Sequence, residues 1–421
     1  MYYLLVVGVL GLEDVPVILG SERVLERVVC PVCRNVARFC RLSVCPYYRG
    51  VYEGIRRSLS SDVLFGPSPP AVLFGEWGYP RVFGGSCVSF VEGVEPGLLE
   101  SPRSWLDLSI DDLLSLRLGL VLGRLRMPVV GARRPSRVLS AIQESALSFL
   151  PVDVELRVVG GFRARPGFGV RAMPHGPSVR IDDVRVVGNV SAPRSVESLV
   201  GDVDVSAAVA VGELYRRGVD EYYLSRVFSA GLLGRRAERR LVPTEWSITA
   251  IDDLVGRMLL RRVKELRVIG EFRVYEASAL FNSVFVVLVP FPWMFELLEG
   301  WVRFFDESPY VDFEFYWGRS DYASGTGGAY YAVRLSVLRY LVSRGEQAGA
   351  VVFFEVDRGW VPLGVWRFRE LTRRALESGF RRFGSLEEAL GYVGPRLRIP
   401  LGRYLSRSRL VPFIRGQARL A

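Results

Sequence analysis

Four of the five cysteines fall within sixteen residues, as Cys30-Pro-Val-Cys33, Cys40 and Cys45. Two close thiol pairs can wrap one tetrahedral ion, and structural zinc sites are built at such spacings. A zinc held by Cys30, Cys33, Cys40 and Cys45 is the first expectation. Two disulfides, or four thiols that only pack, are the alternatives. Four thiolates leave no open coordination position, so this zinc would be structural. The fifth cysteine, Cys87, has no histidine near it in sequence and is expected to be a buried, inert thiol.

A chain of 421 residues with 49% hydrophobic content holds two or three domains with real cores. Its net charge of +10 favours anionic partners. Of 55 basic side chains one is Lys264, leaving 54 arginines. GC-rich coding and phosphate contact both account for that bias. No Walker A lysine exists, because no glycine-rich loop precedes Lys264, and Schiff-base chemistry could use that lysine alone. His175 is the only histidine, which excludes a His-rich metal site. It lies in Met-Pro-His-Gly-Pro, a turn signature, and is expected in an exposed loop before any role as a base. The apolar start, MYYLLVVGVLG, lacks a basic leader and a cleavage site and is too short to span a membrane. It reads as an edge strand or as a start-site artefact, and the protein as soluble and cytoplasmic.

Along the chain, residues 61–70 read as a turn-rich linker and 71–75 as a short buried strand. Residues 107–124 read as a helix capped by Ser109, and 152–159 as a strand. Residues 161–180 read as loop. Helices are expected at 203–217, stopped by Gly218, and at 219–230, stopped near Gly231. A third is expected from about Ala250, capped by Ser247 or Thr249. Strands follow at 266–275 and 284–289, then a loop over 306–328 and a helix from Ala329 to Ser343. A β-rich run at 349–356 precedes helices at 368–379 and 385–391, and the end reads as irregular. Without a regular βαβ alternation the fold class is α+β.

Charge is uneven. From Ala389 onward there is no Asp or Glu, but there are seven arginines, at 396, 398, 403, 407, 409, 415 and 419. Other arginines cluster at 124, 126, 133, 134 and 137, and at Arg235, Arg236, Arg239 and Arg240. Contact with a phosphate backbone is the reading for these runs, with Arg403, Arg407 and Arg409 taken from the tail. Trp246, in Pro-Thr-Glu-Trp, could stack on a base, and so could Trp77, in Phe-Gly-Glu-Trp-Gly-Tyr-Pro-Arg. Asp252 and Asp253 could bind a divalent metal, although residue types fit a helix start better, with both carboxylates on its dipole. Tyr330, Tyr331, Arg369 and Glu370 complete the weaker catalytic candidates. The glycine-rich 318–328 segment could cradle a phosphate but reads first as a flexible loop.

Several segments together resemble one family. In order they are the four-cysteine module ending Cys45-Pro46; Leu73-Phe-Gly-Glu-Trp-Gly-Tyr-Pro80; and Gln143-Glu-Ser-Ala-Leu-Ser148 with Pro151-Val-Asp153. Next come Asp202-Val-Asp204, Leu214-Tyr215 with Gly218, Ser229-Ala-Gly231 with Gly234, and Leu241-Val-Pro-Thr-Glu-Trp-Ser-Ile-Thr-Ala250. Gly328-Ala-Tyr-Tyr331 with Arg334, then Trp360-Val-Pro-Leu-Gly-Val-Trp366 with Arg369-Glu370, close the series. The set is similar to the archaeal Nre proteins from about residue 28 to the end. The resemblance implies a DNA-repair role and two conserved regions, the first carrying the zinc module. It also implies partnership with the sliding clamp, PCNA, through a C-terminal Gln-x-x-hydrophobic motif ending in aromatics. Here Arg34-Asn35 and Arg41 replace a Lys-Gly and a Gly beside the cysteines, with no ligand changed. Glu245 replaces an Arg before the Trp. The tail gives Gln417 and Leu420 without the two aromatics, which predicts weak or absent clamp binding.

The expected organisation is an N-terminal extension at 1–21, a C4 zinc module at 22–50, and a mixed α/β region at 51–295. A smaller α+β region at 296–410 and a basic tail at 411–421 follow. The expected function is DNA repair with DNA binding through arginine-rich surfaces. A metal-dependent nucleic-acid or nucleotide-processing enzyme using Asp252 and Asp253 is the alternative.

Overall fold

The computed structural model describes residues 62–91, 93–160, 166–167, 175–302, 308–357 and 363–418. The N-terminal extension and Cys30, Cys33, Cys40 and Cys45 lie outside the described residues. The architecture is α+β, and the described chain forms two compact units. One is 62–254 with 363–364; the other is 255–357 with 365–418.

The first unit is built on strands β1 (Val63–Ser68), β2 (Val72–Phe74), β3 (Arg81–Ser89), β4 (Leu120–Pro128), β5 (Val152–Val158), β6 (Pro166–Gly167) and β7 (His175–Val187). They form one sheet in the order β1-β5-β7-β4-β3-β2, with β6 on β7. Only β4 and β7 pair in parallel. In β5, Val152, Val154, Leu156 and Val158 are buried and alternate with more accessible Asp153, Glu155 and Arg157. That is the period of a half-buried strand. Helices α1 (Ile110–Leu118), α2 (Arg137–Leu147), α3 (Arg194–Gly201), α4 (Ala207–Arg216) and α5 (Glu221–Ser229) accompany the sheet. Helix α6 (Thr244–Val263) runs on into the second unit. Ser109, Ser136, Ser206 and Asp220 each accept a backbone N–H from the first turn of the helix they open. Each such cap contributes about 1 kcal/mol.

Four readings of this unit need correction. The expected linker at 61–70 is mostly strand β1, whose Val63–Ser68 pair antiparallel with β5. The 107–124 helix ends at Leu118, and Leu120 opens β4, because Gly119 stops the helix and the apolar run that follows crosses the sheet interior. The expected loop at 161–180 has become strand by His175, which pairs with Gly167. His175 is consequently no exposed loop residue: burial drives its pKa down to about 4, while its Nδ1 lies 2.7 Å from the Gly176 carbonyl. Helix α6 begins at Thr244, six residues before Ala250, so neither Ser247 nor Thr249 caps it. The Ser247 hydroxyl instead donates to the Ser225 carbonyl.

The second unit carries β8 (Arg267–Val268), β9 (Phe272–Ala279), β10 (Asn282–Val289), β11 (Phe295–Trp301), β12 (Tyr310–Glu314), β13 (Glu346–Gln347), β14 (Gly349–Val356) and β15 (Arg381–Phe383). Six of them form a sheet ordered β12-β11-β14-β10-β9-β15, and β8 pairs with β13. Every residue of β14 is buried, as in a strand covered on both faces. On one side α7 (Gly328–Arg344) and α8 (Trp366–Glu377) supply Tyr330, against Phe295 at 5.1 Å, and Phe368, against Phe354 at 4.2 Å. On the other side Val287, Leu298, Val351 and Phe353 pack with residues of α9 (Leu386–Val393), α10 (Leu401–Leu405) and α11 (Leu410–Ala418).

The C-terminal stretch is therefore not irregular. It forms a layer of the core, fastened by two buried carboxylates. Glu355 accepts the N–H groups of Arg398 and Ile399 and the hydroxyl of Tyr404, at 2.8–3.1 Å. Glu296 accepts from Arg409 N, Leu410 N and Ser408 Oγ. Burial raises the pKa of both carboxyls, opposed by these donors.

Candidate nucleic-acid interface

The β2–β3 connection is a tight hairpin loop. Gly75 N–H donates to the Phe83 carbonyl at 2.8 Å, Tyr79 N–H to Glu76 at 3.2 Å, and Arg81 N–H to Gly78 at 2.8 Å. Gly78 sits at φ +82°, and a Cβ there would lie 2.8 Å from the Arg81 carbonyl. Tyr79–Pro80 is a cis peptide. At the tip the Trp77 side chain is 85% exposed. A tryptophan in a stable fold normally hides most of its ring, so this one is conspicuous.

Residues 170 positions downstream hold the loop in place. Thr244 Oγ1 accepts the Phe74 N–H at 3.0 Å. The Trp246 indole N–H donates to Glu76 Oε2 at 3.1 Å, and its ring lies 5.4 Å from that of Tyr79. Trp246 thus acts as a positioning residue for the Trp77 loop. The segment before it is anchored in turn: Ser229 and Val242 exchange hydrogen bonds, and Gln143 Nε2 donates to the Ala230 carbonyl at 2.8 Å. Gly231, at φ +70°, leaves room where a Cβ would meet the Ala132 Cβ at 2.5 Å and the Arg240 carbonyl at 2.7 Å. Leu241 N–H donates to Val129, and Val129 N–H to Pro80, both at 2.9 Å. Three segments far apart in sequence, around 73–80, 143 and 229–246, therefore converge.

Two of the three arginine groups sit on this framework. Phe83 faces Arg126 across β3 and β4, and the guanidiniums of Arg124 and Arg126 lie 5.5 and 5.9 Å from its ring centre. Arg180 stands beside Arg124 on β7. Arg81, Arg124, Arg126 and Arg180 are exposed and have no carboxylate partner among the described residues. The 235–240 group divides. Arg239 is consumed structurally, donating to the Gly234, Val200 and Asp202 carbonyls, and burial lowers its pKa. Arg235 bonds the Asp204 carbonyl and Glu238. Arg236 is exposed and Arg240 half-buried. In the second unit Arg403, Arg407 and Arg409 are exposed, whereas Arg398 and Arg415 pair with Asp357 and Glu387. The acid-free tail has its carboxylates elsewhere in the sequence. Gln417 is exposed on α11, and Leu420 lies outside the described residues.

The catalytic candidates are mostly interior. Asp252 and Asp253 are buried in the middle of α6, so they do not sit at its N-terminal dipole. Tyr330 and Tyr331 are buried on α7, where the Tyr331 hydroxyl accepts from Ala323 N at 3.0 Å. The Tyr330 hydroxyl has no partner among the described residues, and burial raises its pKa well above the ordinary phenol value. Arg369 and Glu370 are buried on α8, with Glu370 paired to Arg373 at 2.9 Å. The glycine-rich 318–328 segment is fastened rather than loose. Asp312 accepts from Thr326 N and Oγ1 and from Arg319, while Glu314 accepts from Trp293 and Arg334. Among the described residues no group of three or more His, Cys, Asp or Glu is placed to hold a metal ion. Cys87 is a buried free thiol whose pKa burial pushes up to about 12. No helix among the described residues is long and apolar enough to cross a membrane.

The family model for the N-terminal part of archaeal Nre matches residues 39–305, and that for the C-terminal part matches 314–421. The chain belongs to the archaeal Nre family. Among curated Nre relatives, DNA repair protein NreB of Archaeoglobus fulgidus is 32% identical over 93% of this chain and 98% of its own length. DNA repair protein NreA of the same organism is 34% identical over 88% and 94%. NreA of Haloferax volcanii is 34% identical over 77% and 81%. No solved structure matches the chain. The two Nre models divide between 305 and 314, whereas the compact units divide inside α6. Sequence reasoning had pointed to Trp77, Trp246 and the arginines singly. It missed Phe83, and it missed that Glu76 and Thr244 tie the motifs together, since no local pattern records a contact 170 residues away.

Proposed function

We propose that this chain is a DNA-repair protein that binds DNA through the arginine-rich face of its 62–254 unit. The observation that carries the reading is the meeting of Arg81, Arg124 and Arg126 with the Trp77 loop on one hydrogen-bonded framework. The names of the curated relatives support the repair role. Arginines without carboxylate partners are free to neutralise phosphates, and each neutralised phosphate releases counterions. DNA affinity should therefore fall steeply between 50 and 200 mM salt, by about tenfold or more for a handful of contacts. Charge reversal of Arg124 and Arg126 to Glu should weaken binding and flatten that slope. Salt-independent binding, or variants that bind like the parent, would remove this face from the function.

In the same reading a zinc held by Cys30, Cys33, Cys40 and Cys45 folds a module at 22–50, ahead of regions at 51–295 and 296–410. Its role is architectural, with binding energy on the order of 10 kcal/mol spent on folding. Gln417, exposed on α11, and Leu420 would be the contact with a sliding clamp.

A further inference from the structure

Duplex and single-stranded DNA present the same phosphates but different bases. In a duplex the π-faces are stacked on one another; in a single strand they are available to an aromatic ring. We propose that the face carrying Trp77, Phe83, Arg81, Arg124 and Arg126 is a stacking platform for single-stranded DNA. This inference rests on the DNA-binding reading above and specifies which form of DNA it takes.

Three observations carry it. Trp77 projects from the hairpin tip with its ring almost wholly open, although Trp246, Thr244 and Glu76 fix the loop beneath it. A ring held out by a braced loop loses little entropy when a base covers it. Phe83 is 40% exposed on the strand leaving the same loop, with two guanidiniums over it. The Arg126 guanidinium also reaches the loop itself, ending 3.6 Å from where a Cβ on Gly78 would stand. Aromatic surface and positive charge are thus interleaved within a few residues, which is the composition of single-strand grooves. An apolar protein partner fits poorly, since covering Trp77 would also desolvate arginines that have no carboxylate partner among the described residues.

The test is equilibrium binding of a fluorescein-labelled thymine 20-mer and of a labelled 20-base-pair duplex to the full-length protein at one salt concentration. Parent, Trp77→Ala and Trp77→Phe are compared, with circular dichroism as a check on folding. The parent should favour the single strand. Trp77→Ala should weaken single-strand binding by about fivefold to a hundredfold, as loss of one base–aromatic stack does, and duplex binding by less than about twofold. Trp77→Phe should recover part of the loss. Equal affinity for the two forms, with all three proteins alike, would overturn the platform while leaving DNA binding intact. Failure of both DNAs to bind would overturn the DNA-binding reading as well.

Discussion

Trp246 braces the Trp77 loop through Glu76 and Tyr79, and that brace can be perturbed by a few atoms. Trp246→Phe removes the indole N–H that Glu76 accepts at 3.1 Å and leaves a ring to face Tyr79. A hydrogen bond to a charged acceptor contributes about 1.5–3 kcal/mol when buried. Both partners are only half-buried, so solvent screening reduces this to about 1–2 kcal/mol. Glu76→Gln keeps an acceptor oxygen but loses the charge, and should cost about half as much by the same scale. Combined, the two changes should fall short of their sum by about 1 kcal/mol, because each removes the same bond. Two compact units make a single global unfolding free energy a poor reporter, so the assay must be local. Hydrogen exchange of residues 72–84 serves, since the Phe74 and Gly75 amides donate within the brace and the hairpin. In Trp246→Phe these amides should exchange about five to thirty times faster, following the factor of ten per 1.4 kcal/mol. Those of β14 should not change. Unchanged exchange at 72–84, or strictly additive effects, would refute the bracing role.

The remaining predictions address other parts of the molecule. Glu355→Leu should destabilise the second unit by about 3–5 kcal/mol, because Arg398 N, Ile399 N and Tyr404 Oη lose their acceptor together; faster hydrogen exchange of the β14 and 398–411 amides, with those of β5 unchanged, would measure it. His175 has its folded pKa depressed to about 4 against an ordinary 6.5. Its contribution is therefore fully present above pH 6.5 and lost as pH falls toward 4, by up to about 3 kcal/mol. As the only histidine it gives an unambiguous NMR titration; a pKa near 6.5 would contradict the burial argument. Elemental analysis should return about one zinc per chain, reduced in Cys33→Ser, whereas no zinc with four oxidised cysteines would favour disulfides.

Much of the fold was legible where local chemistry decides it. Ser109 as a cap, Gly218 and Gly231 as stops, and the alternation of 152–158 all act within a few residues. Elsewhere the determinants lie far along the chain. The β9–β10 hairpin turns on Leu280 and Phe281, both at positive φ, where the usual Asn-Gly signal is absent, so its two strands did not read as a pair. The C-terminal helices look irregular until Glu296 and Glu355, more than forty residues away, satisfy their N–H groups. The interface shows the same division. A Trp and a run of arginines are visible as residue types, but only the pairing of β3 with β4 brings Arg124 and Arg126 beside the loop that Thr244 and Trp246 brace.

Photocrosslinking tests that placement most directly. A single-stranded oligonucleotide carrying 5-iodouracil, irradiated with the full-length protein and mapped by mass spectrometry, reports which aromatic rings lie against bases. The structure predicts adducts at Trp77, with Phe83 or Tyr79 as secondary sites, and their loss on competition with unlabelled single strand. Adducts confined to other segments, with none in residues 72–84, would contradict it.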